Sequence, residues 1–165
     1  MSRKPIFVIS GLLWLCVAAS AADSAFLKDA CQGGIMEMKL GQLAQTNASS
    51  QQVKDFGQRM VNDHSRMNMS VRDLAGKQSV TLPSDISIKD KITYDLISKK
   101  TGADFDRAYM EDMIADHKAD VAAFEREVES GTDPEAKAVA QKALPTIREH
   151  LRMAEEIGRQ LGVKP

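Results

Sequence analysis

The chain has 165 residues and a formal net charge of −1, from 22 basic and 23 acidic side chains with no basic block. That balance excludes the dense positive surface that nucleic acid or anionic lipid would need. Of two cysteines, Cys16 and Cys31, only Cys31 survives the processing expected below. No internal disulfide is then possible, and stability must come from packing within a single domain.

Residues 1–22 read as a secretory signal peptide. Arg3 and Lys4 form a basic start, an apolar run follows from Ile6 to Ala19, and Ala19-Ser20-Ala21-Ala22 offers a small-x-small cleavage site. The run is too short for a spanning helix of about 20 residues, and Leu15 before Cys16 argues against a lipoprotein. Cleavage removes two basic residues and no acids, so the mature charge falls to −3. The expectation is a periplasmic protein without a transmembrane segment, residues 23–165 forming one domain.

A first helix is predicted over about Ser24 to Thr46, with Phe26, Ala30, Gly33, Glu37, Leu40 and Ala44 on one face. Glu37 is the polar member of that face. Gly33 and Gly41, one turn to either side, offer either close helix approach or room for a ligand beside its carboxylate. Ser49 and Gln52 can form a capping box for a second helix, whose stripe is Val53, Phe56, Met60, His64, Met67, Val71 and Leu74. A connection over about 78–102 follows, with a short amphipathic pattern from Ile86 to Ile97. It is too long for a tight helix turn and long enough to travel back along a bundle, leaving the helices on either side of it parallel.

Gly102 breaks the pattern and Asp104 can cap the next long helix. That helix carries Phe105, Tyr109, Met113, His117, Val121, Phe124 and Val128 on its stripe, with Asp120 just beside it. Asp133-Pro134 starts the last helix, an N-cap followed by proline at the first helical position. Its stripe is Ala136, Ala140, Ala143, Ile147, His150, Ala154, Ile157 and Leu161. Pro145 should kink it. No stretch alternates as a strand, so the fold class is all-α, a four-helix bundle with one extra short helix in the long connection.

All three histidines of the chain lie on apolar stripes. With Glu37, each is within about three residues, or ~5 Å, of its helix midpoint, so the four groups share a layer when the midpoints align. One carboxylate and three imidazoles are a plausible ligand set for one divalent metal ion, Zn, Cu or Fe. Asp63, Asp116 and Glu149 each precede a histidine and are candidates to orient a ring. Met60 and Met113, one turn before His64 and His117, would suit copper, or simply fill the core. The alternative is a layer that satisfies itself with no metal, in an interaction module that contacts a protein partner in the envelope. A metal-dependent oxidoreductase is a third reading, with no substrate or electron-partner signature. Cys31, beside no obvious base, is expected to be buried and unreactive.

The segments Gly33-Gly34, Met60-x-x-Asp63-His64, Phe105-Asp106-x-x-Tyr109-Met110, Met113-x-x-Asp116-His117 and Leu144-Pro145-Thr146-x-x-x-His150-Leu151 occur in this order. Together they resemble the domain-of-unknown-function 4142 (DUF4142) family, over about Ala25 to Ile157. The resemblance implies an exported member of the ferritin-like superfamily and no particular activity. Di-iron bundles of that superfamily use Glu-x-x-His pairs. Here Val61, Ile114 and Ile147 occupy the positions three before the histidines, which speaks against a ferritin-type di-iron centre.

Overall fold

The computed structural model describes residues 20–164. The signal-peptide expectation therefore lies almost wholly outside the described residues. Among these, five helices and no strand are present: α1 (Ala21–Asn47), α2 (Gln51–Lys77), α3 (Ile88–Ser98), α4 (Gly102–Ser130) and α5 (Pro134–Gln160). None is long and apolar enough to cross a membrane. The all-α expectation and the extra helix in the connection both hold.

Helix starts follow local chemistry, with two departures. Ser20 and Asp23 form a capping box that begins α1 at Ala21, earlier than the hydrophobic periodicity suggested. Asp133 accepts from the backbone N–H of Glu135 and Ala136, as its sequence context predicts. Ser49 does not cap α2. The N-cap is Ser50, without a side-chain cap bond, and the buried Asp106 of α4 supplies the acceptor instead. Its carboxylate takes hydrogen bonds from Ser49 N at 3.1 Å and Ser50 N at 2.9 Å. Asp104 likewise is not the cap of α4, which starts from Thr101, and pairs with Arg107. Helix α5 continues through Pro145.

The contacts at the helix ends fix the topology. Helix α1 packs chiefly on α2, and α4 on α5, while α1 also meets α4 and α2 meets α5. Thr132, just beyond α4, donates its N–H to Asp23 Oδ1 at 2.9 Å and its hydroxyl to Oδ2 at 2.6 Å, at the start of α1. Gln78, the C-cap of α2, donates to Asp133 at the start of α5 at 2.6 Å. So α1 and α4 are antiparallel, α2 and α5 are antiparallel, and α2 and α4 run parallel, as the long connection implied. That connection runs along α1. Gln32 donates to the Asp85 carbonyl at 3.1 Å, and Asn47, at the far end of α1, donates to the Lys100 carbonyl at 2.9 Å.

Helix α1 comes close enough to α2 to exclude side chains. A Cβ on Gly41 would stand 2.4 Å from the Gly57 carbonyl oxygen, and one on Gly34 2.6 Å from Asn68 Oδ1. Gly41 therefore serves helix approach, whereas a Cβ on Gly33, one turn before Glu37, would meet nothing within 4 Å. The core around the polar layer is apolar, with Leu27, Leu40, Phe56, Met60, Phe105, Met110 and Met113 fully or almost fully buried. Cys31 is buried and unbonded to any other cysteine.

Candidate metal centre

Glu37, His64, His117 and His150 meet in the middle of the bundle, one from each long helix, and all four are buried. The ring centroids lie 5.8 Å (His64–His117), 5.3 Å (His64–His150) and 5.4 Å (His117–His150) apart. One ligand nitrogen per ring comes within 4.8 Å of the other two. Glu37 sits against this cluster, Oε2 being 2.6 Å from His64 Nδ1 and Oε1 3.2 Å from His117 Nε2. Neither approach has hydrogen-bond alignment, and both Glu37 oxygens lack an aligned partner.

Two of the rings are fixed from outside. His117 Nδ1 lies 2.9 Å from the Met113 carbonyl oxygen, which can only accept, so the ring proton is assigned to Nδ1 and Nε2 keeps its lone pair. His150 Nε2 donates to Asp63 Oδ2 at 2.8 Å, leaving the Nδ1 lone pair facing inward. His117 Nε2, His150 Nδ1 and His64 Nε2 have no hydrogen-bond partner. Histidines that ligate metals usually give their second nitrogen to a carboxylate or carbonyl in this way.

Burial disfavours the imidazolium and brings His64, His117 and His150 each down to about 4, so the three rings are neutral at neutral pH. For Glu37 burial pushes the carboxyl up to about 8, against the pull of His117 and with Asp116 and Asp112 adding to the rise. The layer is poor in donors. Acceptor nitrogens face acceptor oxygens, and the Glu37 proton and one His64 proton cannot serve all of them. A buried polar atom without a partner costs about 1–3 kcal/mol.

The expected neighbours separate into three kinds. Asp63 orients a ring, but it is His150 on α5 and not the adjacent His64. Burial works to raise its carboxyl, and the His150 hydrogen bond together with the His150 and Arg66 charges outweighs this and lowers it. Asp116 and Asp120 project toward Glu37, and one oxygen of each of the three carboxylates lies within 4.8 Å of the others. Glu149 does neither. It lies at the surface and pairs with Arg152 at 2.9 Å, because the helix places it about 100° from His150 on the solvent side. Met60 and Met113 are buried in the apolar cluster.

Two groups were not singled out by the sequence. The buried Tyr109 hydroxyl has no partner, and burial followed by the Glu37 charge raises it well above its ordinary value. Its place on the α4 stripe was visible, its polar end was not. Asp112 lies one turn before Asp116, and burial, then the Asp116 charge, pushes it up to about 7. The Asp112-x-x-x-Asp116-x-x-x-Asp120 spacing is the signal that could have found it.

A cavity of about 340 Å³ reaches this layer from outside, with Asp63, His64, Asp120, Arg66 and Lys142 among its polar lining and Met67, Phe124 and Ile147 among its apolar lining.

The family described as domain of unknown function (DUF4142) matches residues 17–157. Two solved structures share the fold. A DUF305 fragment from Deinococcus radiodurans superposes with a TM-score of 0.75 at 16% identity, covering 86% of this chain and 98% of that one. A DUF305 protein from Streptomyces coelicolor, inferred to be secreted, gives 0.74 at 13% identity, covering 87% and 94%. At such identities the likeness speaks for the fold alone. No curated protein matches the chain.

Proposed function

The chain belongs to the DUF4142 family, and we propose that it holds one divalent metal ion among His64, His117, His150 and Glu37. The observation that carries this reading is the convergence of three neutral imidazoles, two of them fixed from outside by Met113 and Asp63, on a centre that lacks donors. A cation between the lone pairs supplies what the layer lacks. Imidazole with carboxylate suits Zn, Cu or Fe. The role is metal handling or stress tolerance rather than catalysis.

We infer that it acts after export, in the periplasm. The Arg3-Lys4 start, the apolar run and Ala19-Ser20-Ala21 support this. Cleavage before Ala22 or Asp23 removes the Ser20 cap and leaves the Asp23–Thr132 hydrogen bonds in place. The intact mass of the exported protein checks the cut, and an uncleaved cytoplasmic chain would overturn it.

Metal that binds only the folded state raises its stability, by about 2.7 kcal/mol at a hundredfold excess over Kd. Chelator-stripped protein should therefore melt higher with Zn, Cu or Fe. His64→Ala and His117→Ala should each abolish the rise, while Lys99→Ala, on the exposed surface, should keep it. If no metal shifts the wild-type protein more than His64→Ala, the layer is structural. The second reading, an envelope interaction module, then becomes the working one. One observation favours it, the exposed stripe of Ile88, Ile92 and Leu96 on α3.

A further inference from the structure

We propose that Glu37, Asp116 and Asp120 hold a second divalent cation beside the three-histidine centre, with the Glu37 carboxylate shared between the two ions. This goes beyond the proposed function and rests on it only through Glu37.

Three carboxylates from two helices point at one another. An oxygen of each lies within 4.8 Å of the other two, and Asp116 and Asp120 are one turn apart on α4, a like-charge pair that by itself weakens a helix. Asp120 is only half-buried by area, yet burial holds its carboxyl well above the ordinary value, followed by the charges of Glu37 and Asp116, and no basic side chain offsets them. The independent pointer is Glu37. Its side chain is fully buried, both oxygens lack an aligned hydrogen bond, and it stands between the two groups of donors. A buried carboxylate in that position needs a proton or a cation.

The two donor sets differ in kind. Three imidazoles favour a borderline ion such as Zn, whereas three carboxylates favour a harder ion such as Mn(II) or Mg(II). Access exists from two sides. Asp120 and His64 share the cavity of about 340 Å³. Asp116 also lines a smaller cleft of about 210 Å³ with Asp90, Asp112 and Lys89, against α3.

The test is metal content. Stripped protein is equilibrated with Zn(II) and Mn(II) together, separated from free metal and analysed for both elements, with the Mn(II) resonance spectrum recorded. Wild-type protein should carry two ions per chain. The Asp116→Asn/Asp120→Asn double variant should carry one, the zinc. Asp120→Asn alone, an isosteric change at a half-buried position, should weaken Mn(II) binding by roughly tenfold or more and leave zinc content unchanged. A single ion in both the wild type and the double variant overturns the second site and leaves the histidine centre standing. Two ions in both place the manganese elsewhere and also overturn it. No ion in either protein removes both sites.

Discussion

Glu37 is the residue on which the chemistry of the centre turns. Solvent-exposed histidines would make metal affinity fall below a pH of about 6.5. Burial moves the three rings to about 4 and the Glu37 carboxyl to about 8, so in the intervening range the proton that competes with metal is on Glu37. Ligation of the proposed ion would then release that proton. Apparent affinity should rise by about tenfold per pH unit up to about 8 and level off above it, and Glu37→Gln should flatten the rise. Calorimetric titrations from pH 5.5 to 9 measure both. A wild-type break near 6.5 would show that the rings titrate as if they were in water.

At the scale of helices, one side chain does what no local motif provides. Asp106, near the start of α4, ties down the beginning of α2 by accepting from Ser49 N and Ser50 N. Asp106→Ala removes those bonds from a buried acceptor and should cost about 1–3 kcal/mol. Asp106 lies 11 residues from His117 on the same helix, about 16 Å along its axis at 1.5 Å per residue. Metal-free protein should thus melt lower while the metal-induced rise stays intact. Loss of that rise as well would show that the helix ends and the layer are one unit. Close approach at Gly41 and Gly57 works at the same scale, since it brings α1 near enough to α2 for Glu37 to reach His64.

For the whole molecule, the buried titratable groups make metal-free stability fall as pH rises through the neutral range. The histidines oppose this only at the lower end of that range, where unfolded imidazoles still lose protons that the folded rings no longer hold, and above about 7.5 they add nothing. Glu37 at about 8, Asp112 at about 7 and Glu127 at about 7 all hold protons in the folded state that the unfolded chain has already lost. The folded state binds more protons, and stability therefore drops as pH climbs toward 8. Thermal melts should fall by several degrees between pH 6.5 and 8.5, at about 2–8 °C per kcal/mol, and by less in Glu37→Gln. Saturating metal should remove the Glu37 share, because the metal replaces the proton. A metal-free melting temperature that climbs with pH over this window would contradict the burial of these acids.

The sequence by itself determined what is local. Apolar side chains at three- and four-residue spacing set the helices and their class, and the Asp133-Pro134 start was legible because a cap involves only its own turn. His64, His117 and His150 were placed in one layer because each lies on an apolar stripe near a helix midpoint. The tertiary structure decided the rest, for a geometric reason. A residue one place off a stripe lies about 100° round the helix, at the edge of the buried face, and what it meets there depends on which helix packs alongside. Asp63 meets His150 of α5, Asp116 and Asp120 meet Glu37 of α1, and Glu149 meets solvent and Arg152, although Asp63, Asp116 and Glu149 stand in the same sequence relation to a histidine. Asp106 was read as part of a motif and became a cap because the long connection returns α4 beside the end of α1. Side-chain spacing is a property of one helix, but partners belong to pairs of helices, and only packing assigns them.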